Sequence, residues 1–188
     1  MTNAPIPPAS GFSLMRIEAA AMSDALDDLA GILHACVADG AAVSFILPFA
    51  RDEARAFWRD SVLPQVEAGA TILLAARDEA DGGLVGTVQL GIDTPPNQPH
   101  RADLKKLLVH PRARRRGIAR ALIARLEGEA LACGRSMITL DTRTGDMAEP
   151  LYRAMGYEEA GVIPDYSLDV TATQLDATTV FYKRLSGK

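Results

Sequence analysis

The chain has 188 residues, 48% hydrophobic and 23% charged, which fits one ordinary globular domain with a core of its own. Its net charge of −4 argues against general nucleic-acid binding, which favours basic domains. No apolar run approaches the roughly 20 residues needed to cross a bilayer, and residues 1–11 lack the basic start and apolar centre of a signal peptide.

Residues 1–11 form a proline-rich lead expected to be flexible, ahead of a single domain over 12–188. Residues 12–18 alternate Phe12, Leu14 and Arg16 against Ser13, Met15 and Ile17, a first strand. Ser23 is expected to cap a helix running to about Ala38, with Leu26, Leu29, Ala30, Leu33 and Val37 on its apolar face. Asp39-Gly40 ends it. Residues 41–49 are apolar, without a helical period, and are punctuated by Pro48. A second helix is expected over about 52–66, kinked or shortened by Pro64.

Residues 71–77 and 84–92 read as a hairpin through the polar, glycine-rich turn 78–83, and a three-proline loop follows at 94–100. An apolar strand over 104–109 is broken by Pro111, and a basic loop with Arg112, Arg114, Arg115 and Arg116 leads to Gly117. The next helix carries Ala119, Leu122, Ile123, Leu126 and Ala130 on one face. Residues 137–141 read as a short strand, 148–155 as a helix ended by Gly156, and 157–162 and 178–185 as closing strands. Cys36 and Cys133, both on helical patterns, are expected to be buried free thiols, and a cytoplasmic protein is the simplest reading.

The stretch 109–126 carries the most chemistry. A strand feeding a loop that opens a helix presents unpaired N–H groups and the positive end of the helix dipole, a natural phosphate site. Gly117 removes the Cβ that would keep a ligand from the backbone. Five arginines between 112 and 120 add positive charge. The histidines His34, His100 and His110 have no metal-ligand spacing, and no zinc, serine-elbow, dinucleotide or P-loop motif occurs. No metal is expected.

Arg114-x-x-Gly117-x-Ala119 resembles the Q/R-x-x-G-x-G/A signature of the GNAT N-acetyltransferases, whose loop grips the pyrophosphate of acetyl-CoA. Leu107-Leu108-Val109-His110-Pro111 is similar to that family's strand-then-proline lead-in, and Leu151-Tyr152-Arg153-Ala154-Met155-Gly156-Tyr157 to its later tyrosine-bearing helix end. The resemblance covers roughly residues 70–185. It implies a single α/β (α+β) domain: a mixed, mostly antiparallel sheet of about seven strands, splayed at its centre and flanked by about four helices.

The resemblance further implies acetyl-CoA as co-substrate and direct transfer of acetyl to an amine. Backbone of Leu107, Leu108 and Val109 would hold the pantetheine. Arg114, Arg115, Arg116, Gly117, Ile118, Ala119 and Arg120 would surround the phosphates. Tyr152 would reprotonate the departing thiolate, a role that competes with simple core packing. Asp103 and Asp141 are candidate bases, each equally a loop cap or a solvated charge. The runs R-A-D-L-K-K-L and L-D-T-R-T-G-D-M-A-E-P-L-Y resemble the tabtoxin-resistance branch, which acetylates a small amino-acid-like amine and carries acids at these two positions. Asp103 is one methylene shorter than the glutamate that branch leads one to expect.

The family places segment 41–50 over the acceptor site, so Phe45, Phe49 and Trp58 either line a pocket or pack in the core, with core packing expected. An acidic pocket would suit a cationic amine. The expectation is therefore acetylation of a small-molecule primary amine, amino-acid-like or antibiotic-like. A protein N-terminus or lysine as acceptor, a non-catalytic CoA-binding module, and a possible homodimer stay open.

Overall fold

The computed structural model describes residues 11–186, so the expectation for the lead falls almost wholly outside the described residues. Seven strands form one sheet: β1 (Phe12–Ile17), β2 (Thr71–Asp78), β3 (Leu84–Gly91), β4 (Arg101–Val109), β5 (Met137–Arg143), β6 (Glu158–Leu168) and β7 (Leu175–Arg184). Their order is β1-β2-β3-β4-β5-β7-β6. Every pair is antiparallel except β4 with β5, which run parallel. The mixed, mostly antiparallel sheet is the expected one.

Helices cover both faces. On one, α1 (Met22–Ala38), α2 (Arg51–Ala56), α3 (Leu63–Glu67) and the stretch that joins the last two pack Leu29, Leu33, Trp58 and Val62 against Leu73, Ala75 and Leu108. On the other, α4 (Ile118–Ala132) and α5 (Glu149–Ala154) pack Leu122, Leu126 and Tyr152 against Leu74, Val88, Leu104 and Phe181. Leu122, Ile123 and Leu126 are completely buried, each stabilising by about 1.5–3 kcal/mol. That burial fixes the helix whose first turn opens the arginine loop.

Several boundaries differ from the sequence reading, each for a physical reason. Helix α1 begins at Met22, so Ser23 sits inside its first turn rather than capping it. Segment 51–67 is helical throughout but passes through a π-type stretch, Phe57–Val62, just before Pro64. Proline has no N–H for the carbonyl four residues back, and a wider turn there absorbs the mismatch. β6 runs six residues past the expected end at Val162 because it is exposed along nearly its whole length and shows no core-driven alternation. Cys133 is a correction: it caps the C-terminus of α4 and is exposed, whereas Cys36 is buried.

Candidate active site

The site begins where two parallel strands stop pairing. β4 and β5 share three rungs, Arg101 with Met137, Ala102 with Ile138 and Asp103 with Thr139. Beyond Asp103 they part, while β4 keeps pairing with β3. The sheet therefore carries a wedge-shaped split in its middle, one edge of which is 104–109.

A bulge shapes that edge. Thr87 pairs with Leu108 and Gln89 with Lys105, so β4 advances three residues where β3 advances two. The extra residue falls in the stretch that includes Lys106, whose φ is 49°. Ala102 and Leu104 point into the α4 layer, and Leu108 points into the α1–α3 layer. Without an extra residue these even-numbered side chains would share one face. The sequence reading missed the bulge, although its signal is legible as two adjacent lysines at which apolar positions switch from 102 and 104 to 107 and 109.

The split opens into a cleft of about 980 Å³. Leu107, Leu108, Val109, Arg114, Ala119, Asp141 and Tyr152 line it, so these sequence candidates come together in one place. At the end of the cleft nearest α4, Gly117 caps that helix in the left-handed region at φ 84°, and Arg115 is also left-handed at φ 64°. Ile118 is buried against the sheet. A Cβ on Gly86 would sit 2.9 Å from Ile118 Cγ2, so the helix start is seated directly on β3. The first-turn amides of α4 are thus held by packing.

The arginine loop is less cationic than its composition suggests. Arg112 pairs with Asp81 at 2.7 Å, Arg114 with Asp39, and Arg116 with Asp78 at 2.6 Å. Arg116 also donates to the Gly11 carbonyl at 2.8 Å, so its side chain is committed to the β1–β2 edge. Its guanidinium draws the Asp78 carboxyl down to a pKa of about 2. Among the described residues only Arg115 and Arg120 of the five have no carboxylate partner, and both are exposed.

Tyr152 reaches the cleft from the core of α5. Its ring lies 5.7 Å from Tyr157 and 6.0 Å from Phe181, and the residue is only 5% exposed. Burial, with Asp146 and Asp141 nearby, raises its pKa well above the ordinary phenol value. It is a neutral O–H, a proton donor. Tyr157 is core.

The two candidate aspartates differ in placement. Asp141 lines the cleft, is exposed, and shares the single Thr178 hydroxyl proton, at 3.2 Å, with the Thr142 carbonyl at 2.9 Å. Asp103 sits at the last rung, is ion-paired with Arg101 and accepts from Thr139 Oγ1 at 2.6 Å. It is absent from the cleft lining.

The opposite end of the cleft is walled by segment 41–50. Val43, Ser44, Phe45 and Ile46 line the cleft, and Phe57 stands beside them, whereas Phe49 and Trp58 are buried in the core. Phe45 thus takes the pocket position and the other two the core positions. The Leu47 N–H donates to the Val170 carbonyl at 2.8 Å, tying the segment to the tip of the β6–β7 hairpin. Lys106 Nζ donates to the Val43 carbonyl at 2.7 Å and to Ser44 Oγ at 3.2 Å. It also lies 5.5 Å from the Phe45 ring centroid and 5.7 Å from that of Phe57. Burial lowers the Lys106 pKa, with Asp141 opposing the fall and Lys105 adding to it. The expected acidic pocket needs correcting. The bulge places Lys105 and Lys106 beside Asp141, so this end of the cleft is mixed in charge.

Among the described residues there is no cluster of side chains able to hold a metal, and no helix long and apolar enough to cross a membrane. The model of the acetyltransferase (GNAT) family matches residues 37–157. Among solved structures the chain is similar to yncA of Salmonella typhimurium, whose structure holds its cofactor acetyl-CoA. The two share 16% identity over 95% of this chain and 96% of that one, with a TM-score of 0.74. It is similar to an N-acetyltransferase from Staphylococcus aureus Mu50 at 18% identity, 94% and 100% coverage and TM-score 0.76. It is also similar to a ribosomal-protein-alanine N-acetyltransferase from Brucella melitensis at 22% identity, 92% and 99% coverage and TM-score 0.73. With the match running from the end of α1 through the arginine loop to Tyr157, the chain belongs to the GNAT acetyltransferase family and is an acyltransferase.

Proposed function

We propose that this enzyme moves acetyl directly from acetyl-CoA to the primary amine of a small, amino-acid-like or antibiotic-like molecule. The observation that carries the reading is the split between β4 and β5. One end of it meets the start of α4, and the other meets Asp141 and the aromatic wall of segment 41–50. The residues present suit acetyl-CoA: an unpaired strand edge for the pantetheine amides, and helix amides with Arg115 and Arg120 for the phosphates. Bound there, acetyl-CoA supplies an activated acyl group, and no enzyme nucleophile is needed.

The chain's own groups then handle protons. Asp141, oriented by Thr178, takes the proton that the amine must lose, directly or through one water. Tyr152, neutral at physiological pH, donates a proton to the departing thiolate. Asp103, already held by Arg101 and Thr139, keeps the last rung closed and positions the split rather than serving as the base.

A protein terminus or a lysine as acceptor would need a wide groove. The Leu47–Val170 tie and the Lys106 bonds close this end into a pocket, which supports a small acceptor. Resemblance to the tabtoxin-resistance branch supports an amino-acid-like one. Val162 and Ile163 are exposed on the edge strand β6 and support a homodimer, checked by sedimentation. The two unpaired cysteines fit a reducing, cytoplasmic setting.

The test is thermal unfolding with and without acetyl-CoA, followed by thiol release over a panel of small amines. A ligand-induced rise in Tm with thiol release for one amine class is expected. A rise with no acceptor would leave a binding module, and no rise would sink the reading.

A further inference from the structure

Two residues past the last parallel rung, each separating strand carries a charge. On β4 it is Lys105, two beyond Asp103; on β5 it is Asp141, two beyond Thr139. A step of two restores the same face of a strand. A cation and a carboxylate therefore stand on opposite lips of the split, both lining the cleft.

The Lys105 lip is built in an unusual way. Lys105 is exposed and, among the described residues, takes part in no ion pair or side-chain hydrogen bond. Its stem lies over Gly91, where an added Cβ would be 2.9 Å from Nζ and 3.1 Å from Cε. Glycine clears the berth along which the side chain leans.

Directly across the β3–β4 pairing from Lys105 is Gln89. Gln89 is 4% exposed, lines the same cleft, and its Nε2 has no hydrogen-bond partner. A buried amide left unsatisfied is costly, and an apolar residue would pack at this position without that cost. Lys106 contributes a second ammonium, but two of its three protons are already bound to Val43 O and Ser44 Oγ, which hold it against segment 41–50. Lys105 is then the ammonium with no bond among the described residues, and it shares the β4 side of the cleft with the unpaired Gln89 amide, while Asp141 stands on the β5 side.

We infer that the acceptor carries a carboxylate beside its amine, and that Lys105 with Gln89 is the site that reads it. A carboxylate matches the unengaged Lys105 ammonium, and the amide supplies a second hydrogen bond to the same group. The amine is then left to Asp141. This rests on the acetyltransferase reading and gives it a substrate class: zwitterionic amino acids rather than simple amines or polyamines.

The experiment measures thiol release from acetyl-CoA with matched triples, each an amino acid, its carboxamide and its decarboxylated amine. The free acid is expected to exceed the other two in kcat/KM by about tenfold or more, the size of one lost charge-assisted hydrogen bond. Lys105→Met should bring the acid-to-amide ratio close to one, and Lys105→Arg should keep it. Gln89→Leu should lower the ratio by several-fold, with its Tm reported beside it. Equal turnover of acids and amides by the parent enzyme overturns the inference, as does a ratio that survives Lys105→Met. Turnover of decarboxylated amines alone overturns it too, and leaves the acetyltransferase reading standing. Absence of thiol release with every amine removes both.

Discussion

Replacing Tyr152 by Phe separates its packing in the core from the acid role proposed for its hydroxyl. The ring is packed at 5.7 Å from Tyr157 and 6.0 Å from Phe181, and Phe keeps both contacts. The hydroxyl has no hydrogen-bond partner among the described residues, so its removal leaves no orphaned protein group. Stability should change by less than about 1 kcal/mol, a Tm shift of no more than about 4 °C in a chain of this size. Chemistry should respond differently. Losing a positioned general acid lowers the rate by about 10²–10⁴-fold, or roughly 3–5 kcal/mol in the barrier at 1.36 kcal/mol per tenfold. The assay is single-turnover acetyl transfer, which isolates the chemical step, beside acetyl-CoA affinity by calorimetry. Affinity should be nearly unchanged. An acyl donor whose thiol is more acidic needs less help in leaving, so it should restore part of the lost rate. A variant within about threefold of the parent, on the view that this acid is worth at least 10²-fold, would refute the reasoning. Tyr152 would then be core alone.

Gly117→Glu should abolish acetyl-CoA binding, read as loss of the ligand-induced rise in Tm. It forces a side chain into φ 84°, costing about 1–2 kcal/mol, and adds negative charge at the proposed phosphate site. Gly86→Ala should destabilise the fold by about 1–3 kcal/mol and weaken acetyl-CoA binding, because the new methyl lands 2.9 Å from Ile118 and lifts the start of α4. An unchanged Tm would mean that the helix is not seated as described. Asp141→Asn should lose rate at neutral pH and recover part of it at higher pH, where the free amine no longer needs a base. An equal loss at every pH would point to binding or folding instead. Asp78 has its carboxyl pKa lowered from 3.8 to about 2 by Arg116, so its contribution to stability is complete above about pH 4. That contribution is lost as the pH falls toward 2, because protonation then favours the unfolded chain. Asp78→Asn should flatten this part of the Tm-against-pH curve.

Much of the molecule is legible in the residues. The 3.6-residue stripe of Leu122, Ile123 and Leu126 marks α4, and the resemblance carried by Arg114, Gly117 and Ala119 points to the family that the chain belongs to. What escapes is whatever depends on distant partners. Nothing near Arg114 or Arg116 announces Asp39 or Asp78, which lie 75 and 38 residues away in the chain, so the loop looks more cationic than it is. Asp103 and Asp141 look alike in sequence, and only Arg101, Thr139 and Thr178 tell them apart. Gln89 sits inside an apolar strand with no local hint that its amide is unpaired. β6 ran past its expected end because hydrophobic periodicity reports a strand only where one of its faces is buried.

The extra residue in β4 also bears on how such a chain can change over time. Side chains before it and after it count from opposite parities, so Leu104 and Leu108 serve different layers. Deleting one residue at 105 or 106 would turn everything downstream inside out, sending Leu108 toward α4 and Leu107 and Val109 toward α1. Adding one would do the same. Point substitutions here alter a single side chain, whereas any change in length rewrites both cores and the cleft at once. This strand is therefore expected to drift by substitution while its length stays fixed, leaving loops such as 93–100 to absorb the insertions.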